Sequence, residues 1–149
     1  MSIKQISIFV ENRTGHLSEV TSLLSENNVN LRALSIADTS DFGILRIIVE
    51  DVDRAAEILR ENGFTYTVTE VLAVAMRDEA GGLAEILSVL SKANQSLEYA
   101  YAFLLHKVGT ACLVIRVDDN QAAASALSAA GSGFLHPSGL CGHVHGTGH

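Results

Sequence analysis

The 149-residue chain is short of the features that usually announce a function. It has two cysteines, Cys112 and Cys141, too few for a disulfide framework. Cys112 sits inside an apolar strand-like run and reads as a small buried hydrophobe. Basic residues are outnumbered, 10 against 17 acids, for a net charge of −7. That balance argues against a nucleic-acid or anionic-membrane surface, since either needs a basic patch. No apolar run approaches the roughly 18 residues of a membrane span. The start, Met-Ser-Ile-Lys-Gln, lacks the charged-then-apolar order of a signal peptide. The address expected from these absences is the cytoplasm. Catalytic signatures are missing too: there is no Gly-x-Ser-x-Gly and no phosphate-binding loop.

What the chain has is apolar residues, 48% against 18% charged, enough for a packed core in one medium or two small domains. It also has an organising stretch. Glu11-Asn12-Arg13-Thr14-Gly15-His16-Leu17 follows a strand-like run, Ile3 to Val10, and opens a helix-like run, Leu17 to Asn27. Leu17, Val20, Leu23 and Leu24 share one face of that helix. Thr14 is the expected N-cap, and Asn27-Asn28 the stop. A polar turn at this place leaves backbone N–H groups at the helix's first turn, where the dipole favours anions such as carboxylates.

Further elements follow in order. Val29 to Ala37 reads as a strand, 38–43 as a turn cluster, and Ile44 to Glu50 as a β-branched central strand. Asp51-Val52-Asp53 starts a second helix that Asn62-Gly63 ends, and Phe64 to Thr69 is a strand. The order is β-α-β-β-α-β, and the chain then repeats it. Gly15-x-Leu17 maps onto Gly81-x-Leu83 at an offset of 66, as do Asn28 onto Asn94 and Gly43 onto Gly109. Past the third strand the offset becomes 68, taking Leu59 to Leu127 and Gly63 to Gly131. This is the mark of an internal duplication. The second copy is expected to have strands at Val71–Met76, Leu97–Leu105, Thr110–Val117 and near Phe134–His136, a turn at His106–Gly109, and helices at Leu83–Ala93 and Asn120–Ala130. The domains expected are 1–69 and 70–137, with no linker between them, then a Gly- and His-rich tail, 138–149. Four strands per copy predict eight in all, in a continuous or back-to-back sheet. Open edge strands predict a homodimer.

Glu-Asn-Arg-x-Gly-x-Leu after the first strand, with Asn28-Val29-Asn30-Leu31 entering the second, resembles the ACT domain family. The likeness runs from Ile3 to about His136. The second copy departs from it, with Asn94-Gln95-Ser96-Leu97 in place of Asn-x-Asn and a Gly81-Gly82 pair. The resemblance implies an α+β fold of two ferredoxin-like βαββαβ repeats, with antiparallel sheets covered by helices. It implies a regulatory module that binds a free amino acid or similar small metabolite where domains meet, without catalysis or a cofactor. A site of this kind draws on Glu11, Asn12, Arg13, Thr14, Gly15, His16 and Leu17, with Asn28, Asn30 and Ile36. The ligand's carboxylate would meet the helix amides, and its ammonium the oxygens of Asn12 or the second strand's edge. In copy two the equivalent residues are Asp78, Gly81, Gly82, Leu83 and Ser96. Each has a plainer reading: turn glycines, a helix stop at Asn28, solvated charges at Arg13 and His16.

Two other classes compete. A small enzyme on this fold would gather His106, Cys112 or Asp118 in a cleft. A partner-binding module would show an empty site and an exposed apolar patch. The tail pattern Cys141-x-His143-x-His145, with His149, carries transition-metal donors. A terminal glycine-rich stretch lacks the packed surroundings that hold such donors, so no metal is expected.

Overall fold

In each half of the chain, strands that alternate at period two meet helices whose apolar residues recur every three to four positions. The computed structural model describes residues 2–11, 15–38, 42–104 and 109–135. Its elements are β1 (Ile3–Glu11), α1 (His16–Glu26), β2 (Leu31–Asp38), β3 (Phe42–Val49), α2 (Val52–Glu61), β4 (Thr65–Arg77), α3 (Gly82–Lys92), β5 (Leu97–Leu104), β6 (Thr110–Val117) and α4 (Asn120–Ala129). Two units are distinct: Lys4–Thr69, and the chain from Glu70 together with the first three residues.

In the first unit β1 and β3 are antiparallel, with Ile6 opposite Ile47 and Ile8 opposite Leu45. β2 joins the far side of β3, with Leu34 opposite Ile47 and Ile36 opposite Leu45. Ile6, Ile8, Val10, Leu45, Ile47 and Val49 form one buried face of this sheet. Val20 and Leu24 of α1 and Ala55 and Leu59 of α2 close over it. Truncating a fully buried aliphatic such as Leu24 to alanine costs about 2–5 kcal/mol, which is a large share of a domain's stability.

The second unit repeats the plan. β4 and β6 pair with Leu72 opposite Ile115 and Val74 opposite Leu113, and β5 flanks β6. Ile86 and Leu90 of α3 and Ala123, Ala124 and Leu127 of α4 cover Leu72, Val74, Leu113, Ile115 and Val117. Even an irregularity is copied. β2 bulges between Leu31 and Ala33, and β5 between Leu97 and Tyr99.

The strand count differs from expectation: there are six, all antiparallel, among the described residues. Nothing in Thr69-Glu70-Val71 breaks an extended chain, so the last strand of copy one and the first of copy two are a single 13-residue β4. The strand expected near Phe134–His136 shrinks to one bridge, Val74 to Phe134. Two bonds hold it, from the Ala75 amide to the Gly133 carbonyl and from the Leu135 amide to the Ala73 carbonyl, 2.8 Å each. His136 lies outside the described residues.

The four helices among the described residues end alike. Beyond α1, Asn28 is left-handed at φ 57°; its amide bonds to the Ser25 carbonyl at 3.0 Å, and the Val29 amide to the Leu24 carbonyl at 2.9 Å. The same paired bonds occur at Gly63, Asn94 and Gly131. This arrangement satisfies carbonyls that a helix end otherwise leaves open. The helix starts are of two kinds. Asp51 and Asp119 cap α2 and α4 with their carboxylates. α1 and α3 start instead from Gly15 and Gly81, at φ 84° and 91°, with no side-chain cap. The cap expected at Thr14 therefore falls on Gly15, because the turn needs a left-handed residue there.

Candidate functional site

The first repeat gathers its polar and aromatic side chains where β1 ends and α1 begins. Glu11 closes β1 opposite Phe42 of β3. Gly15 turns the chain, and His16 is the first helical residue. His16 Nδ1 lies 3.0 Å from the Glu11 carbonyl oxygen. A carbonyl can only accept, so Nδ1 carries the hydrogen and Nε2 is the nitrogen left to face outward. Nε2 lies 4.0 Å from the Glu19 carboxylate, one turn along α1. On its other side the imidazole packs against Phe64, with ring centres 6.2 Å apart.

These residues border a cavity of about 630 Å³, lined by Phe9, Val10, Glu11, His16, Glu19, Phe42, Asn62, Gly63, Phe64 and Thr65. The described lining belongs wholly to the first unit. α2's left-handed ending delivers Phe64, because the bond from its amide to the Leu59 carbonyl turns the chain back toward β1. The helix start supplies amide donors and a positive dipole end, and Glu11 and Glu19 supply carboxylates. Such a site can hold both ends of a zwitterion.

The structure brings Glu11, Gly15 and His16 together here. Asn12, Arg13 and Thr14 lie outside the described residues. Leu17 turns inward and packs against the core. Asn28 holds the left-handed helix stop, Asn30 is exposed just before β2, and Ile36 is 55% exposed on β2. None of the last three lines the cavity. Phe9, Glu19, Phe42 and Phe64 line it without having been anticipated. Their signal was compositional: the chain has only five phenylalanines, and the three in its first half all meet at this cavity.

In the second repeat the corresponding turn is built differently. Gly82 is buried, and a Cβ there would lie 2.2 Å from the Arg77 carbonyl oxygen. The Arg77 guanidinium bonds to both Glu79 and Glu85. The hydrogen bond to Glu85 and the charges of both acids raise its pKa above the ordinary value. The Asp78 amide donates to the Gly109 carbonyl at 2.8 Å. Gly81, Leu83 and Ser96 are exposed.

A second cavity, also about 630 Å³, lies along α4 between Ser2, Glu70, Asn120, Gln121, Ala124, Ser125 and Ser128. At its edge the Glu70 carbonyl accepts from Asn120 Nδ2 at 3.0 Å and Arg116 Nη1 at 3.2 Å. Two of the three residues named for an enzyme lie among the described residues. Cys112 is buried in β6 and its thiol is pushed up to about 12 by desolvation, Asp118 is exposed, and His106 lies outside the described residues. Among the described residues no group of His, Cys, Asp and Glu could hold a metal ion, and the tail with Cys141, His143, His145 and His149 lies outside them. No described helix is long and apolar enough to cross a membrane.

A family model for the ACT domain pair matches residues 1–136. The solved structure of protein BT0572 from Bacteroides thetaiotaomicron is similar at 39% identity, covering 95% of this chain and 96% of that one, with a TM-score of 0.87. The ligand-free regulatory subunit of aspartate kinase from Thermus thermophilus shares the fold at 14% identity, over 85% of this chain and 91% of that one, with a TM-score of 0.63. Its counterpart from Thermus flavus gives 15%, 85%, 91% and 0.62. No curated protein matches the chain.

Proposed function

The chain belongs to the ACT domain family, as a domain pair, and from that premise we propose that it is a regulatory protein that binds a free amino acid and performs no catalysis itself. The observation that carries the reading is the cavity at the start of α1. It joins a helix N-terminus without a side-chain cap, the Nε2 of His16 and the carboxylates of Glu11 and Glu19. The helix amides would take the ligand's carboxylate, and the acids its ammonium. A fold shared with proteins named as regulatory subunits is in keeping with this role. The proposed setting is the cytoplasm. A homodimer is part of the proposal, since β2 ends the strand order and carries Leu34 and Ile36, 52% and 55% exposed. A ligand would switch such an assembly only by binding one packing better than another.

Titration calorimetry against the standard amino acids, paired with thermal melts, tests the proposal. At a hundredfold excess over Kd a ligand stabilises by about 2.7 kcal/mol, which raises Tm by roughly 5–10 °C for a chain of this size. The absence of heat and of any shift with every amino acid would overturn it.

A further inference from the structure

The second repeat is an internal control for the first. Both keep the same helix stops, the same strand bulges and a left-handed glycine before their first helix. They part company in three ring positions. By strand register Phe9 and Phe42 correspond to Ala75 and Thr110, since Glu11 faces Phe42 as Arg77 faces Thr110. Phe64 corresponds to Ser132, at the offset that takes Gly63 to Gly131. Alanine, threonine and serine at these positions support the same sheet and helices, so the fold does not require the rings.

Two of the rings also stand apart from the packing of their own unit. The core cluster beneath α1 and α2 does not include Phe9 or Phe42, and Phe42 is 52% exposed. A phenyl ring left half in water costs free energy that a covering apolar group recovers. All three rings border the cavity at the start of α1, with Val10 beside them and His16, Asn62 and Thr65 on the same lining. The cavity therefore sets an apolar wall next to the helix start that would hold the ligand's carboxylate. A large apolar side chain on that wall would lose its water and gain ring contacts. A methyl group is too small to cover it, and a charged side chain would be desolvated against it at a cost.

We infer that the first repeat's cavity selects an amino acid with a large apolar side chain, seated against Phe9, Phe42 and Phe64. This rests on the amino-acid-binding reading above and names the ligand's side-chain class.

Calorimetry of the full chain with L-phenylalanine, L-leucine, L-alanine and L-glutamate tests it. Phenylalanine or leucine should bind roughly thirtyfold tighter than alanine, the effect of burying one large apolar side chain. Glutamate should bind no tighter than alanine. Phe42→Ala should cut the preference for the large apolar ligand over alanine about fivefold, and Phe42→Leu should restore most of it. That preference is a ratio of two affinities on one preparation, so a partly unfolded variant does not distort it. Alanine or glutamate binding as tightly as both phenylalanine and leucine overturns the inference while the amino-acid reading stands. So does an unchanged preference in Phe42→Ala. Failure of all four probes to bind overturns the inference; if the remaining amino acids also fail, the reading beneath it falls too.

Discussion

Asn28 and Asn94 adopt the same left-handed conformation, φ 57° and 56°, each one residue past the C-cap of its helix. Their shared geometry explains why asparagine recurs at this offset without any appeal to a ligand. Asn28→Gly should leave stability within about 0.5 kcal/mol of the parent, and Asn28→Ala should cost about 1 kcal/mol, as left-handed backbone penalises a Cβ. Urea unfolding measures both. If Asn28 is only a helix stop, amino-acid affinity is the same in the glycine variant.

Gly15 and Gly82 should respond differently to alanine. At Gly15 no described atom lies within 4 Å of an added Cβ, so among the described residues only the positive φ opposes it, for about 1 kcal/mol. At Gly82 the added atom meets backbone that cannot step aside, 2.2 Å from the Arg77 oxygen. Gly82→Ala should lose more than 2 kcal/mol and melt well below Gly15→Ala. Equal melting temperatures would contradict this packing.

Cys112 should be chemically silent in the native protein. In a Cys141→Ser background, a thiol reagent should react only on unfolding, because the reactive species is the thiolate. A stability consequence follows. The unfolded thiol titrates near 9.0 and the folded one near 12. Between those values the unfolded state binds fewer protons than the folded state, so stability falls as pH rises. Its contribution is intact below the unfolded value and is lost at up to about 1.4 kcal/mol per pH unit through the window. Unfolding at about pH 8 and about pH 10.5 should show a steeper loss for the parent than for Cys112→Ala.

Asp119 accepts from the Gln121 and Ala122 amides at 3.0 and 3.1 Å, and Asp51 from the Arg54 amide at 3.1 Å. Each aspartate-to-alanine change should cost about 1 kcal/mol by removing a cap. The matching asparagine variant should recover most of it, because the capping oxygen matters more than its charge. Chemical denaturation of the four variants would check the order.

Most of the architecture could be read from the residues. Ile6, Ile8 and Val10 alternate, and Val20 and Leu24 recur at helical spacing, so the β-α-β-β-α-β order and its repetition followed. The strand count did not, because a repeat of two four-strand copies implies separate strands at a junction where Thr69 and Val71 favour extended chain and Glu70 does not break it. At the far end the described residues show a bridge at Phe134, and His136 lies outside them. The turn at Glu11, Gly15 and His16 was legible through its own chemistry. The phenyl wall was not. Phe42 and Phe64 reach the turn through the register of β3 against β1 and the hook at the end of α2, and neither is a local property.

The sequence contains no tryptophan, so the protein is without indole fluorescence. Phe42 stands half exposed at the rim of the first cavity, and an indole placed there would be the sole emitter of its kind in the chain. Occupancy of that one cavity could then be followed optically, with no background from the other repeat.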